Sequence, residues 1–252
     1  MVSGRQDRAI VGSGTSEADW QAWPVLDRLP ALAVDGCRRA VVVAPHPDDE
    51  TLALGGLIAT LLAAGTPVVV VAVTDGEASH PHSTKVTPDE LGRRRVAETA
   101  AALAVLGDGL PGAIQVQRLQ LPDGSLTEPR IAEHLGRLLQ PADWCFTTWE
   151  GDGHPDHERT GLAARTACER TGARLLGYPV WTWHWAAPGD TRVPWQLAHR
   201  LPMTSDAHRR KAEAIACYAS QTRPLGPAAG DAPVLPPDDL AHFTRQHEIV
   251  FT

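Results

Sequence analysis

Lysine is almost absent from this chain: it occurs only at positions 85 and 211, in 252 residues whose formal net charge is -7. Proteins that grip nucleic-acid phosphates or anionic lipid headgroups need clustered cations, so neither partner is expected, and a neutral or small charged substrate fits better. The four cysteines, Cys37, Cys145, Cys168 and Cys217, show no C-x-x-C spacing, and no basic start with an apolar signal core precedes them. Both absences point to a reduced, cytoplasmic protein. No apolar run approaches the twenty or so residues that cross a bilayer. No G-x-G-x-x-G follows the first apolar run, and the turn there is acidic where a phosphate would sit, which disfavours a dinucleotide oxidoreductase. The sequence carries no internal repeat.

What the chain does contain is a regular alternation. Short β-rich runs at 40–44, 68–73, 116–119, 144–148 and 175–180 alternate with helical patterns at 52–64, 88–106, 127–139 and 158–171. Such alternation predicts an α/β fold, a Rossmann-like, mostly parallel sheet with helices on both faces, in a single domain. The polar, Gly/Ser-rich residues 1–16 are expected to form a flexible leader and residues 17–252 the domain. A Pro-rich loop is expected at about 223–239, followed by a last strand at 247–251.

Two motifs carry the chemistry. Pro45-His46-Pro47-Asp48-Asp49-Glu50 follows the first strand and precedes a helix, which is where open α/β sheets place ligands. Gly153-His154-Pro155-Asp156-His157 follows the strand at 144–148 and faces the same rim, as does Asp75-Gly76-Glu77 after the strand at 68–73. His46, Asp49 and His157 supply two imidazoles and a carboxylate, a set suited to zinc with one position left open, although iron, manganese or cobalt fit the same donors. Asp48 is then free to act as general base on a water at the metal. His154 has two readings, a fourth ligand that closes the site or a group beside the metal that stabilises an oxyanion and protonates a leaving amine; hydrolysis of an amide favours the second. Asp156 is expected behind the site, fixing the tautomer of a neighbouring imidazole.

The segment Ala44-Pro45-His46-Pro47-Asp48-Asp49-Glu50-Thr51-Leu52, with Gly55-Gly56 behind it, and His154-Pro155-Asp156-His157 resemble the paired signatures of the PIG-L (LmbE-like) family of zinc-dependent N-deacetylases. Thr74-Asp75-Gly76-Glu77, Arg95 with Glu98, Leu106-Gly107, Leu121-Pro122-Asp123-Gly124, Lys211 and Ser220-Gln221 extend the likeness from about 39 to 221. The resemblance implies zinc on His46, Asp49 and His157, Asp48 as general base, and His154 at the oxyanion. It also implies that Arg95 reaches substrate and that Gln221 lies near the site.

Asp75 and Glu77 read as a plain turn by composition, and their place on the active rim moves them toward substrate binding. Trp149, just before the second motif, is expected to form a pocket wall. Asp152, two residues before His154, stands near where some members of the family carry an aromatic residue, and is placed with the substrate-binding group. His80 and His82 read as exposed loop histidines. Trp181, Trp183 and Trp185 alternate, so in an extended segment their indoles would share one face, as core packing or as a platform for a sugar ring. The expected activity is removal of an acyl group, acetyl first, from the nitrogen of an amino sugar or related glycoside. The alternatives are an amidase acting on a larger thiol or natural-product conjugate and a non-catalytic carbohydrate-binding protein.

Overall fold

The structure, a computed structural model, describes residue 8, residues 10–110 and residues 112–252. Seven strands, β1 (Ala40–Ala44), β2 (Val68–Ala72), β3 (Ile114–Arg118), β4 (Trp144–Thr148), β5 (Arg174–Tyr178), β6 (Ala198–Pro202) and β7 (His247–Phe251), form one sheet in the order β3-β2-β1-β4-β5-β7-β6. The first five pair in parallel, whereas β7 runs antiparallel to β5 and β6. Five longer helices surround the sheet: α1 (Asp49–Ala63), α2 (Pro88–Leu106), α3 (Glu128–Leu138), α4 (Pro155–Thr171) and α5 (Ser205–Ile215).

Every residue of β1, β2 and β4 is buried, as expected for central parallel strands covered on both faces. The period-two pleat sends Val42, Val70 and Phe146 into one core with Leu54, Ile58 and Leu106. Val41, Val43, Val71 and Cys145 enter the other core with Ile131, Leu135, Ala163 and Ala167 from α3 and α4. Helix boundaries follow local chemistry. Thr87 and Glu90 form a reciprocal capping box with Pro88 at the first turn of α2, and α4 starts on Pro155 and ends at Gly172 with φ 76°.

The parallel α/β architecture is the one that the alternation predicts. The tryptophan segment departs from expectation: Thr182–Trp185 is a helical turn, so the three indoles do not share a face. Trp183 packs in the core against Trp20, Trp185 donates from Nε1 to Asp152 O at 2.7 Å, and Trp181 alone of the three lines a cavity that His46, Asp48 and His154 also line. Of the expected leader, residues 1–7 and 9 lie outside the described residues. Further on, Thr15 bonds His184 O and Ala186 O, while His184 Nε2 lies 3.3 Å from Val11 O and its Nδ1 2.9 Å from Asp239. His80 is likewise buried rather than exposed.

Candidate metal centre and active site

The ends of β1, β2 and β4 share one rim because the strands are parallel, and the turns that follow them build the site. After β1, Asp48 adopts φ 120° and ψ -31°, a conformation that a non-glycine residue takes at a cost of order 1–3 kcal/mol. It makes no capping bond to α1, so its carboxylate is available elsewhere. The turn is held by Arg95, which donates from Nη2 to Pro47 O at 2.6 Å and Asp48 Oδ2 at 3.0 Å, and from Nη1 to Gly76 O at 2.9 Å. Gly76 has φ 69°, and a Cβ there would lie 2.2 Å from Arg95 Nη1. Only glycine lets the guanidinium pass.

Three atoms converge beside this turn. His46 Nδ1 lies 3.1 Å from His157 Nε2, and Asp49 Oδ2 lies 3.4 Å from the first and 3.3 Å from the second. The far nitrogens of both rings face carboxylates. His157 Nδ1 is 2.8 Å from Asp152 Oδ2, and His46 Nε2 is 3.2 Å from Asp123 Oδ1 and 3.5 Å from Asp156 Oδ2. Carboxylates accept, so each ring carries its proton on the outer nitrogen and turns a lone pair inward. Two imidazole nitrogens and a carboxylate oxygen then face one another, a donor set that suits a cation. Donors at zinc's bond lengths of about 2.05 Å in a tetrahedron are separated by about 3.3 Å, which matches the triangle. The residues fit a metal.

His154 flanks this triangle, its ring centroid 4.9 Å from each of the other two. Its Nδ1 accepts from Asp156 N at 3.2 Å, which leaves the ring proton on Nε2 as a donor. Burial pulls the His154 pKa down to about 3, so the ring stays neutral. Burial pushes the Asp48 carboxyl up to about 8, against the pull of Arg95 and with the push of Asp49 and Glu50. A carboxylate whose proton affinity is raised in this direction is a stronger base than a free one, which suits proton transfer with a bound water.

A cavity of about 380 Å³ opens over these groups, lined by His46, Asp48, Asp49, Arg95, Asp123, His154, Trp181 and Gln221 among others. Gln221 is held from two sides. Ser220 Oγ donates to Glu98 Oε2 at 2.6 Å and can only accept from Gln221 Nε2, at 2.9 Å. Ser79 Oγ lies 3.0 Å from His80 Nδ1, whose Nε2 is committed to Ala232 O, so it too accepts from Gln221 Nε2, at 3.3 Å. Gln221 Oε1 is left buried with no partner among the described residues.

Several expected substrate contacts lie elsewhere. Asp152 is fully buried and accepts from His157 Nδ1, Val180 N, Trp181 N, Thr182 N and Thr182 Oγ1, so it positions a ligand and the Val180–Thr182 turn and has no face on the cavity. Trp149 packs on Phe251 and lines a separate cleft. Asp75 is bound by Arg118 through both oxygens, and Glu77 accepts from Asp123 N. Both are drawn into loop scaffolding. Arg95 borders the cavity; three of its five N–H groups hold the Asp48 turn, and its buried Nε has no partner among the described residues. Asp156 accepts from Gly124 N at 2.7 Å besides facing His46. The sequence alone assigns Asp123 no role, although Leu121-Pro122-Asp123-Gly124 belongs to the resemblance. Its part depends on which loop lies over His46.

Fold and site together define a metal-site α/β hydrolase. Residues 41–168 match the PIG-L family, described as GlcNAc-PI de-N-acetylase. A 1D-myo-inositol 2-acetamido-2-deoxy-alpha-D-glucopyranoside deacetylase of Corynebacterium diphtheriae is 27% identical over 223 residues, spanning 73% of this chain and 76% of the relative. A diacetylchitobiose deacetylase of Thermococcus kodakarensis is 29% identical over 140 residues, 54% of this chain and about half (51%) of the relative. The structure of N,N'-diacetylchitobiose deacetylase from Pyrococcus horikoshii superimposes with a TM-score of 0.59 at 20% identity, covering 82% of this chain and 79% of that one, and shares the fold. The chain belongs to the PIG-L family, a family of N-acetyl amino-sugar deacetylases.

Proposed function

We propose that this protein is a zinc-dependent hydrolase that removes an acyl group, acetyl in the simplest case, from the nitrogen of an amino sugar or its glycoside. The observation that carries the reading is the inward convergence of His46, Asp49 and His157 donors within 3.1–3.4 Å, next to the strained Asp48 turn. His46, Asp49 and His157 would hold the metal, which supplies Lewis acidity to the amide carbonyl and acidity to a water.

The chain's own residues do the rest. Asp48 takes the proton from the attacking water, and the protonated carboxyl then passes it to the departing nitrogen, so that amide and water become carboxylic acid and amine. His154 donates from Nε2 to the oxygen on which negative charge develops, and keeping Nδ1 as an acceptor for Asp156 N is compatible with that role alone. In this reading the leaving-group proton comes from Asp48. Gln221 borders the cavity beside these groups.

The test is amine release from a panel of N-acetylated amino sugars and glycosides, with zinc-loaded protein beside chelated protein and Asp48→Asn. Release that needs the metal and falls at least about 10²-fold in Asp48→Asn with metal retained is the expected result. Full activity in Asp48→Asn would remove the base from the scheme. Metal bound but no amine released from any member would overturn the amino-sugar reading.

A further inference from the structure

The Pro-rich segment between Arg223 and Asp239 lies outside the stretch matched to the family, and the structure holds it firmly. Buried Asp231 accepts from Ser83 Oγ at 2.5 Å, Leu225 N donates to Asp231 O at 2.8 Å, and Leu235 N donates to Gln221 O at 2.9 Å. His80 Nε2 meets Ala232 O at 3.2 Å. A Cβ on Gly230 would lie 2.5 Å from His82 O, so the segment and the 79–85 loop touch backbone to backbone.

This docking carries Val234 and Leu235 to the cavity over the metal centre, where Pro81, Val180 and Trp181 join them. The aliphatic members of this wall offer a sugar hydroxyl no hydrogen bond. Apolar surface lining a solvent-filled cavity is stabilised when hydrocarbon covers it. The reacting groups of the same cavity come from other loops, His46, Asp48 and Asp49 from the turn after β1 and His154 from the turn after β4. Reaction chemistry and apolar wall are therefore supplied separately.

We propose that the 223–239 segment is a specificity wall that takes a hydrocarbon portion of the substrate. The preferred substrate is then an N-acyl amino sugar bearing an apolar group, either as an acyl chain longer than acetyl or as an apolar aglycone. The proposal rests on the deacylase reading and adds the substrate class to it.

Two substrate series separate the sources: N-acetyl, N-butyryl and N-hexanoyl glucosamine methyl glycosides, and methyl, hexyl and octyl glycosides of N-acetylglucosamine. In one series kcat/KM should rise at least about tenfold from the shortest to the longest member, since each methylene buried contributes roughly fourfold. Val234→Ser should cut that long-to-short ratio at least about threefold and Val234→Leu should preserve it; the ratio is internal to each protein, so a loss of folded enzyme leaves it unchanged. Flat profiles in both series, or a ratio untouched in Val234→Ser, would overturn the wall. Calorimetric binding of the two product series, alkyl glycosides of glucosamine and acetate through hexanoate, needs no turnover. Binding that strengthens with chain length in wild type and not in Val234→Ser supports the wall even if no amide is cleaved, and chain-length-independent binding refutes it.

Discussion

Asp152→Asn is a one-atom exchange at a fully buried position, and the structure says what it does. The two carboxylate oxygens receive five donors: Oδ1 takes Val180 N at 2.8 Å, Thr182 N at 3.0 Å and Thr182 Oγ1 at 2.6 Å, while Oδ2 takes His157 Nδ1 at 2.8 Å and Trp181 N at 2.9 Å. An amide has one oxygen, and three donors draw it to the Oδ1 place. Its NH₂ then meets the Trp181 amide donor to donor, which costs about 1–3 kcal/mol. The same NH₂ faces His157 Nδ1, which must become an acceptor. The ring proton moves to Nε2, the nitrogen that faces His46 and Asp49, and the inward lone pair is lost. Loss of a carboxylate behind a metal-binding histidine lowers metal affinity by about 10- to 100-fold, and a wrong tautomer places this variant at the upper end. A chelator-competition titration reads the affinity, and far-ultraviolet dichroism with urea denaturation reads the fold. Asp152→Asn that folds and binds metal as tightly as wild type would refute the argument that Asp152 sets the His157 tautomer.

Further outcomes follow from other contacts. Gly76→Ala puts a methyl 2.2 Å from Arg95 Nη1 at φ 69°, so it should displace the guanidinium from Asp48, lowering kcat about tenfold or more and stability by about 1–3 kcal/mol; wild-type kinetics would separate Arg95 from the base. Burial pushes the Glu17 carboxyl up, but hydrogen bonds from His242 and Arg245 outweigh it and leave the pKa at about 2 against an ordinary 4.5. A depressed folded pKa contributes stability that is present in full above about 4.5 and is lost as the pH falls toward 2. Discounted for solvent access, the contribution is about 1–2 kcal/mol, and the gap between wild type and Glu17→Gln in urea denaturation should close across that window.

How much of this could be read beforehand depended on whether the cause was local. The valine runs of β1 and β2 are buried on both faces, so hydrophobicity alone announced them. His46, Asp48, Asp49, His154 and His157 lie in two short stretches bounded by proline, and the two strands that end there are neighbours by parallel pairing. Of the residues behind them, Asp156 was legible from the second motif and faces His46 Nε2 at 3.5 Å, whereas Asp152 was not. Asp152 reads as one more loop aspartate until the chain returns at Val180–Thr182 with four donors for it. Trp149 and Asp152 are three residues apart, yet one packs outward on Phe251 while the other turns inward to His157. β6, with His199 and Arg200 at its centre, carries no strong strand pattern and exists because β7 pairs with it. The apolar alternation from 181 to 185 suggested a strand because period two fits three indoles. One helical turn satisfied Trp183 in the core and Trp181 at the cavity instead.

Lys211, one of two lysines, shows how a distant contact anchors α1. Its Nζ donates to Glu248 Oε1 at 2.8 Å, and both side chains are almost wholly buried. Glu248 also accepts from Gly56 N at 2.7 Å and Leu57 N at 2.8 Å, so β7, α5 and the middle of α1 meet at one carboxylate. A Cβ at Gly56 would lie 1.9 Å from Met203 Sδ and 3.2 Å from Glu248 Oε1, so a side chain there would have to displace Met203. Lys211→Met removes the cation and leaves a buried anion with only backbone partners, which should cost about 3–5 kcal/mol. Lys211→Met combined with Glu248→Gln removes the stranded charge while keeping a carbonyl for one of the two amides, so it should recover at least about 1 kcal/mol of that loss. Urea denaturation of the four proteins of the cycle gives the coupling directly. A single Lys211→Met variant within about 0.5 kcal/mol of wild type, the range of an ordinary surface substitution, would mean that α1 is not held through this pair. If the pair does hold it, loosening should reach the start of the same helix, where Asp48 and Asp49 sit, and appear as weaker metal binding in Lys211→Met than in the double variant.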